Sequence, residues 1–205
     1  MVSHTFYTQH TEEFYDFYKN KMIFLDAKPN KAHLKLAEME QAGKLSAIVT
    51  QNIDGLHQAA GSKNVFELHG SVHRNYCQKC GKFFDVNYVV NAKGVPYCDE
   101  CGGIIKPDVV LYEEGLDSQT INGAVRAISK ADMLIIGGTS LVVYPAAGMI
   151  DYFKGKYLAV LNRDATSRDK QADLCITDQS EKYWEESGYK DEEKRYNLDR
   201  SSTGN

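Results

Sequence analysis

Four cysteines arranged as two Cys-x-x-Cys pairs constrain the fold of this chain more than any other feature of its 205 residues. The pairs are Cys77 with Cys80 and Cys98 with Cys101, and seventeen residues separate them. This spacing is typical of a four-thiolate zinc site, and a glycine after each pair can make the tight turn behind the metal. Because the protein would fill all four positions, we expect the zinc to be structural.

Two other interpretations of these cysteines are two disulfides or a redox-active pair. Disulfides are disfavoured in a cytosolic chain, and a redox Cys-x-x-Cys does not need a second pair. The fifth cysteine, Cys175, lies in the apolar run Leu174-Cys175-Ile176 and is expected to be a buried strand residue.

The composition is that of a globular protein. Hydrophobic residues make up 42% and charged residues 25%, which argues against disorder. The net charge is −4 and no long basic run is present, so nucleic acid is not an expected partner. No apolar stretch approaches the ~18 residues of a membrane-spanning helix, and the first residues do not resemble a signal peptide. We therefore expect a cytoplasmic protein with no membrane partner.

Apolar strand patterns alternate with helical patterns along most of the chain. The predicted strands are residues 45–50, 109–111, 133–136, 157–161 and 174–176. The predicted helices are residues 11–20, 29–43 with Pro29 in the first turn, 118–130 and 145–153. Buried strands that alternate with helices indicate a parallel sheet covered on both faces. The expected fold class is α/β, a Rossmann-like doubly wound parallel sheet with an inserted small zinc-binding domain.

The expected domains follow from this pattern. Residues 1–73 and 107–178 form the Rossmann-like domain, in which 1–30 belong to a small helical region. Residues 74–106 form the zinc-binding module. Residues 179–205 form a polar tail without a clear apolar period, and this tail is expected to fray.

Polar segments follow several predicted strands, where an α/β protein holds its ligands. Thr50–Gly55 offers amides and a carboxylate suited to ribose hydroxyls and a carboxamide, although an ordinary Asx-rich turn has the same composition. His69, followed by the small Gly70, is a candidate general base, and the alternative is a satisfied polar residue. Gly137–Ser140 suits phosphate or ribose or a plain tight turn. Asn162 follows a further strand and is equally placed for a ribose or adenine.

The order and spacing of these segments resemble the sirtuin family, the NAD-dependent protein-lysine deacylases. The resemblance extends over residues 28–177 and is similar in form to the bacterial cytosolic members. The motifs that carry it are Lys28-Pro29-Asn30 with Ala32-His33, the Thr-Gln-Asn-Ile-Asp-Gly-Leu-His run at 50–57, Ala60-Gly61-Ser62, Glu67-Leu68-His69-Gly70, both cysteine pairs, Lys106-Pro107-Asp108-Val109-Val110, Gly138-Thr139-Ser140-Leu141 with Val143 and Pro145, and Leu161-Asn162.

The resemblance implies NAD and one structural zinc ion as cofactors, and acetylated-lysine proteins or peptides as substrates. It implies that His69 is the general base. The residues implied to contact NAD are Gln51, Asn52, Ile53, Asp54, His69, Gly138, Thr139, Ser140, Asn162 and the backbone near Cys175. The residues implied to pair as a strand with the acetyl-lysine peptide are Val109, Val110 and Leu111.

The activity that the resemblance implies is removal of acetyl groups from protein lysines. In this family the acetyl oxygen attacks the ribose carbon that bears nicotinamide, and nicotinamide departs. His69 would then deprotonate a ribose hydroxyl, and the acetyl group would move to the ribose. The products would be free lysine, nicotinamide and O-acetyl-ADP-ribose, with zinc outside the chemistry.

The sequence departs from the family pattern at its start. Sirtuins begin with a strand that ends in a Gly-Ala-Gly-Ile-Ser loop, which holds the pyrophosphate, and residues 1–205 contain no Gly-x-Gly at all. The Rossmann-like sheet is therefore expected to be N-terminally incomplete, with weaker binding of NAD. One alternative is a catalytically silent, truncated sirtuin-like protein that binds zinc and peptide. Another is an unrelated nucleotide-binding α/β enzyme with a zinc ribbon.

Overall fold

The computed structural model describes residues 1–177, whose strands form three sheets. The predicted polar tail, 179–205, lies outside the described residues. The strands are β1 (Ile48–Thr50), β2 (Val65–Glu67), β3 (Gly70–Cys77), β4 (Phe83–Phe84), β5 (Ile105–Val109), β6 (Met133–Gly137), β7 (Tyr157–Leu161) and β8 (Leu174–Ile176). The strands β1 and β2 pair in parallel, as do β6, β7 and β8 in that order, whereas β3 pairs antiparallel with both β4 and β5.

Six α-helices and two short 3-10 helices lie between these strands in the described part of the chain. The α-helices are α1 (His4–Gln9), α2 (Thr11–Lys21), α3 (Lys31–Gln41), α4 (Leu56–Ala59), α5 (Val86–Asn91) and α6 (Ser118–Lys130). The 3-10 helices are Ala146–Tyr152 and Asp169–Gln171. Within residues 1–177, no helix is both long enough and apolar enough to cross a bilayer.

The parallel strands confirm the predicted α/β class, but they lie in two separate sheets. Within the described residues no ladder joins β1 and β2 to β6, β7 and β8. Helix α6 packs against both parts, since its buried Ala124 and Ile128 share a core with Leu68 and Phe66 on one side and Leu134 on the other. Burial of this apolar helix face holds the two parallel sheets together.

The first two helices pack on the zinc module. The aromatic side chains of Tyr7, Phe14, Tyr15 and Tyr18 are buried in one core with Cys77, Phe84, Val89, Cys98, Ile105 and Leu111. The Tyr15 hydroxyl donates a hydrogen bond to the Ile105 carbonyl, and the Tyr7 hydroxyl lies 2.9 Å from Gln78 Oε1. Residues 1–23 and 72–111 are therefore called the small lobe below.

Capping side chains define the ends of two predicted helices. The helix 118–130 has the predicted bounds, and Asp117 Oδ2 caps it by accepting the Thr120 N–H at 2.7 Å. The second predicted helix starts later than expected. Asn30 is its N-cap, with its Oδ1 accepting the His33 N–H at 3.1 Å, so Pro29 precedes the helix and is not in its first turn.

Three further boundaries differ from the prediction. The strand predicted at 45–50 starts at Ile48, because the N–H groups of Lys44 and Leu45 still close the end of α3 on the Met39 carbonyl. The strand predicted at 109–111 ends at Val109, because the Leu111 N–H donates to Glu114 Oε2 at 2.9 Å. The segment predicted as a helix at 145–153 is a 3-10 helix.

The prediction that Cys175 is buried is wrong. Its side chain is exposed on β8, which pairs only with β7 in the described residues. The opposite residue in the register, Val160, is buried at 2% exposure because β7 is the middle strand of that sheet. An apolar run of three residues does not separate a middle strand from an edge strand, and this explains the error.

Candidate functional site

The polar segments that follow β1, β6 and β7 meet at one edge of the fold. Gln51 Nε2, after β1, lies 3.4 Å from Thr139 Oγ1, after β6. Asn162, after β7, donates from Nδ2 to the Thr139 carbonyl at 3.0 Å, and its own N–H donates to the carbonyl of Ile176 at the end of β8. The structure therefore brings together polar residues from the carboxyl ends of parallel strands, as the doubly wound fold requires.

The turn after β6 forms an open cradle. Gly138 has φ +62°, and a Cβ built there would meet nothing within 4 Å. The backbone N–H groups of Thr139 and Ser140 make no hydrogen bond to any described residue, while Gly138 and Leu141 are bonded on either side. Two adjacent N–H donors beside an exposed serine hydroxyl fit a phosphate or ribose oxygen. This donor set fits NAD.

The imidazole of His69 is oriented by the loop after β1. Its Nδ1 lies 2.9 Å from the backbone carbonyl oxygen of Gln51. A carbonyl can only accept, so Nδ1 carries a proton, and in the neutral form of the ring the lone pair lies on Nε2. Nε2 makes no hydrogen bond to any described residue, and the side chain is half-buried. A neutral imidazole with a free Nε2 can take a proton from a substrate hydroxyl.

Gly70 permits the chain to turn directly after His69. Its φ is +74°, and a Cβ at this position would lie 1.9 Å from the Asp108 carbonyl oxygen. Only glycine allows β5 to approach so closely. The His69 carbonyl in turn accepts the Val110 N–H at 3.0 Å. The candidate base and the segment after β5 are therefore in direct contact.

The loop 51–55 is held as an Asx turn and by β3. Asp54 Oδ1 accepts the Leu56 N–H at 3.0 Å. The Ile53 carbonyl accepts the Val72 N–H at 3.0 Å, and His73 Nε2 lies 3.0 Å from the Asp54 carbonyl. Asn52 is exposed, and its side-chain amide makes no bond within residues 1–177. The loop is thus an Asx-type turn, which is the alternative interpretation of its sequence. It nevertheless leaves the Asn52 side-chain amide open to a ligand.

Two further histidines lie beside this loop. The rings of His33 and His57 are 4.6 Å apart between centroids. Burial lowers the pKa of both imidazoles, and His33 lowers that of His57 further, while the Asp54 carboxylate acts in the opposite direction. Both rings therefore favour the neutral form. His57 Nδ1 is buried and has no partner within residues 1–177.

The four cysteines of the two pairs converge as predicted, with all their Sγ atoms within 4.8 Å of one another. The Sγ atoms of Cys77 and Cys101 lie 3.4 Å apart, and those of Cys80 and Cys98 lie 3.7 Å apart. These separations exclude disulfides, whose S–S distance is about 2.05 Å. They fit a tetrahedral zinc with Zn–S bonds of about 2.3 Å. The turn glycines Gly81 and Gly102 both have positive φ.

The segment 109–111 runs from the end of β5 along the small lobe. Val109 and Leu111 are buried, and Val110 between them is half-buried. The N–H of Tyr112 donates to the Val2 carbonyl, and the N–H of His4 donates to the Tyr112 carbonyl. Residues 2–4 therefore already bind the backbone of Tyr112, directly after this segment.

Sequence reasoning missed an ion cluster formed by Arg74 with Glu67 and Asp108. Arg74 donates from Nη1 to Glu67 Oε2 at 2.6 Å and from Nε to Asp108 Oδ2 at 2.7 Å. The three residues belong to three different strands or strand ends, so no spacing in the sequence indicates the cluster. Only the opposite charges of residues near the Glu67-Leu68-His69-Gly70 motif hint at it.

The comparisons with a family model, with curated proteins and with solved structures all indicate the same family. The model of the Sir2 family matches residues 1–145. An NAD-dependent protein deacetylase of Clostridium acetobutylicum is 66% identical over 179 residues, which are 87% of this chain and 73% of that protein. A solved structure described as Sir2–p53 peptide–NAD+ has a TM-score of 0.85 and 39% identity, covering 90% of this chain and 80% of that one. Another, of Sir2 with the inhibitor EX-527, 2'-O-acetyl-ADP-ribose and deacetylated p53 peptide, has a TM-score of 0.84 and 41% identity, covering 90% of this chain and 81% of that one.

Proposed function

The chain belongs to the Sir2 family, and from this we infer that it is an NAD-dependent protein deacetylase with His69 as its general base. The observation that carries the role of His69 is its contact with the Gln51 carbonyl, which fixes the proton on Nδ1 and leaves Nε2 able to accept one. The convergence of the 50–55 loop, His69 and the 137–140 turn supports a single NAD site at this edge.

Different residues of this chain would bind NAD and transfer the proton. When bound, NAD supplies an electrophilic ribose carbon and nicotinamide as the leaving group. The free N–H groups of Thr139 and Ser140 would bind oxygens of the cofactor, and the exposed Asn52 amide would bind the carboxamide or ribose. His69 Nε2 would remove the proton of a ribose hydroxyl and return it to solvent or product. Asn162 and the backbone near Cys175 would lie at the adenosine end.

The substrate is proposed to be a protein or peptide that carries an acetylated lysine. A solved structure that this chain resembles is described as Sir2 bound to acetylated peptide, with 39% identity and a TM-score of 0.83. Of the three residues Val109, Val110 and Leu111, Val110 is the one with a partly exposed side chain. We therefore place the main contact with the peptide at Val110, through its carbonyl and its partly exposed side chain, because its N–H already donates to the His69 carbonyl.

Zinc is proposed to stabilise the small lobe and to take no part in the reaction. All four ligands are protein thiolates, so no position is left for a substrate. The cytoplasm is the location proposed for this chain, since a reducing compartment keeps thiolate ligands available for the metal. The silent-protein alternative is not favoured, because relatives matched over 73% of their length are named deacetylases.

The direct test is release of nicotinamide from NAD in the presence and absence of an acetyl-lysine peptide. The wild-type chain is expected to release it only with the peptide. His69→Asn keeps a polar side chain and removes the base, so kcat should fall by at least about a hundredfold. His10→Asn is the matched control, since His10 is exposed and its ring contacts Glu13 and Phe6, away from the proposed site. Equal turnover by both variants would refute the role of His69.

A further inference from the structure

Strand β3 carries a three-residue bulge directly after the His69–Gly70 turn. Ser71 pairs with Asp108 and Asn75 with Pro107, so residues 72–74 have no partner on β5 although their neighbours face consecutive residues. Such bulges bend a strand and re-aim its side chains, and they are common next to active sites. Through its backbone or its side chain, each of the three bulge residues makes a polar contact with an element that holds the proposed site.

Each residue of the bulge makes a different contact. The Val72 N–H donates to the Ile53 carbonyl, and the His73 ring lies against the Asp54 carbonyl, both at 3.0 Å. Arg74 bridges Glu67 and Asp108 with bonds of 2.6 and 2.7 Å. The bulge therefore connects the cofactor loop with the two segments that flank His69.

The Arg74 guanidinium supplies the ionic part of this connection. Glu67 lies two residues before His69, and its carboxylate is only 8% exposed. The carbonyl of Asp108 lies beneath Gly70, and Asp108 comes two residues before Val110, whose N–H donates to the His69 carbonyl. A planar guanidinium can hold two carboxylates in fixed directions, which a point charge does less well.

We propose that Arg74 is a positioning residue for the deacetylation reaction. It binds both Glu67, which precedes His69, and Asp108, which lies beneath Gly70. In this way it holds the imidazole against the Gln51 carbonyl, and it keeps the Val110 N–H at hydrogen-bonding distance from the His69 carbonyl. The role rests on the proposed function of His69. Arg74 itself touches neither the cofactor nor the peptide in this assignment, so its removal acts through the geometry of the base.

The test is steady-state kinetics on Arg74→Met, which keeps the length of the side chain and removes its charge and its fork. A small displacement of a reacting group is costly, so kcat is expected to fall about tenfold or more while the KM for NAD changes less than about twofold. Arg74→Lys keeps the charge and should recover part of kcat. The matched control is Lys82→Met, because Lys82 also bridges two carboxylates, Asp99 and Glu100, in the zinc module away from His69.

A second variant separates positioning from stability. Arg74→Met leaves the buried Glu67 carboxylate without its partner, so a lower Tm is expected from that cause alone. The double variant Glu67→Gln with Arg74→Met removes the unpaired charge and should regain most of the lost Tm. If Arg74 positions the base, kcat stays low in the double variant. If the single variant fails to fold, the double variant carries the test.

Two results would overturn the assignment. Unchanged kcat in Arg74→Met would do so, and so would kcat that returns together with Tm in the double variant, since both mean that Arg74 only stabilises the fold. A wild-type chain without turnover would instead refute the proposed function, and the positioning role with it. An equal loss of kcat in Lys82→Met would also refute a specific role for Arg74.

Discussion

The imidazole rings of His33, on α3, and His57, on α4, lie with centroids 4.6 Å apart and planes inclined by 52°. This contact joins the helix before β1 to the helix that follows the 51–55 loop. Burial lowers the pKa of both rings, the proximity of His33 lowers that of His57 again, and Asp54 opposes both effects. The folded chain therefore resists protonation at this point.

The first prediction is a loss of stability on acidification. A histidine with a lowered folded pKa binds fewer protons in the folded than in the unfolded chain, so its contribution is present above the unfolded pKa of about 6.5 and is lost as the pH falls through the folded pKa. Urea unfolding measured between about pH 8 and pH 5 should show this decrease. His57→Gln should make the dependence shallower, and more so than His10→Gln at an exposed site.

The second prediction concerns the close approach at Gly70. Gly70→Ala must bear both the left-handed φ of +74° and a Cβ placed 1.9 Å from the Asp108 carbonyl oxygen, so β5 has to move. Gly43→Ala has nearly the same φ, +68°, and open space. We expect about 1 kcal/mol of destabilisation at Gly43 from backbone strain alone and at least about 3 kcal/mol at Gly70. Denaturant titration measures both, and equal losses would mean that the contact with β5 relaxes without cost.

The third prediction concerns the metal. Cys98→Ser is expected to remove about one equivalent of zinc and to unfold the small lobe, because Cys98 and Cys77 are part of its buried core. Metal analysis together with circular dichroism measures the two effects. Cys175→Ser is the control, since that thiol lies outside the cluster. A Cys98→Ser protein that keeps full metal content and its ellipticity would contradict the structural role.

The fourth prediction concerns the junction between α2 and the zinc module. Tyr15→Phe removes a buried hydroxyl that donates to the Ile105 carbonyl, and it leaves that carbonyl without this donor. The expected cost is about 1–3 kcal/mol of unfolding free energy. Tyr97→Phe is the comparison, because Tyr97 is exposed and its hydroxyl makes no bond within residues 1–177. Similar stabilities of the two variants would show that the hydrogen bond contributes little.

The sequence was most informative where a local pattern is sufficient. The helix 118–130 was predicted with its true bounds because one apolar face repeats over three turns. The strand 157–161 was likewise predicted, because a run of five apolar residues that alternates with helical segments is typical of a strand in an α/β sheet. The zinc ligands follow from spacing alone, since two residues between thiols bring both to one ion.

Local patterns failed where neighbours in space decide the outcome. Cys175 is exposed because β8 lies at the edge of its sheet, and strand order is not a property of three residues. The start of β1 was misplaced because residues 44 and 45 complete the helix end on the Met39 carbonyl. The Glu67–Arg74–Asp108 cluster could not be predicted, because it depends on a bulge and on pairing between strands far apart in sequence.

The zinc-binding module shares its core with α1 and α2, so it is not a self-contained insertion. The buried side chains of the small lobe come from residues 7–23 and from residues 72–111, so the intervening residues 24–71, with α3, β1 and β2, form an excursion from the lobe. To assemble the lobe, the chain must close a loop of that size before its core is buried, and this carries an entropic cost. No single uninterrupted stretch of the chain contains the lobe without also containing the 51–55 loop and His69. A separate zinc domain therefore cannot be cut out from 74–106 with its core intact.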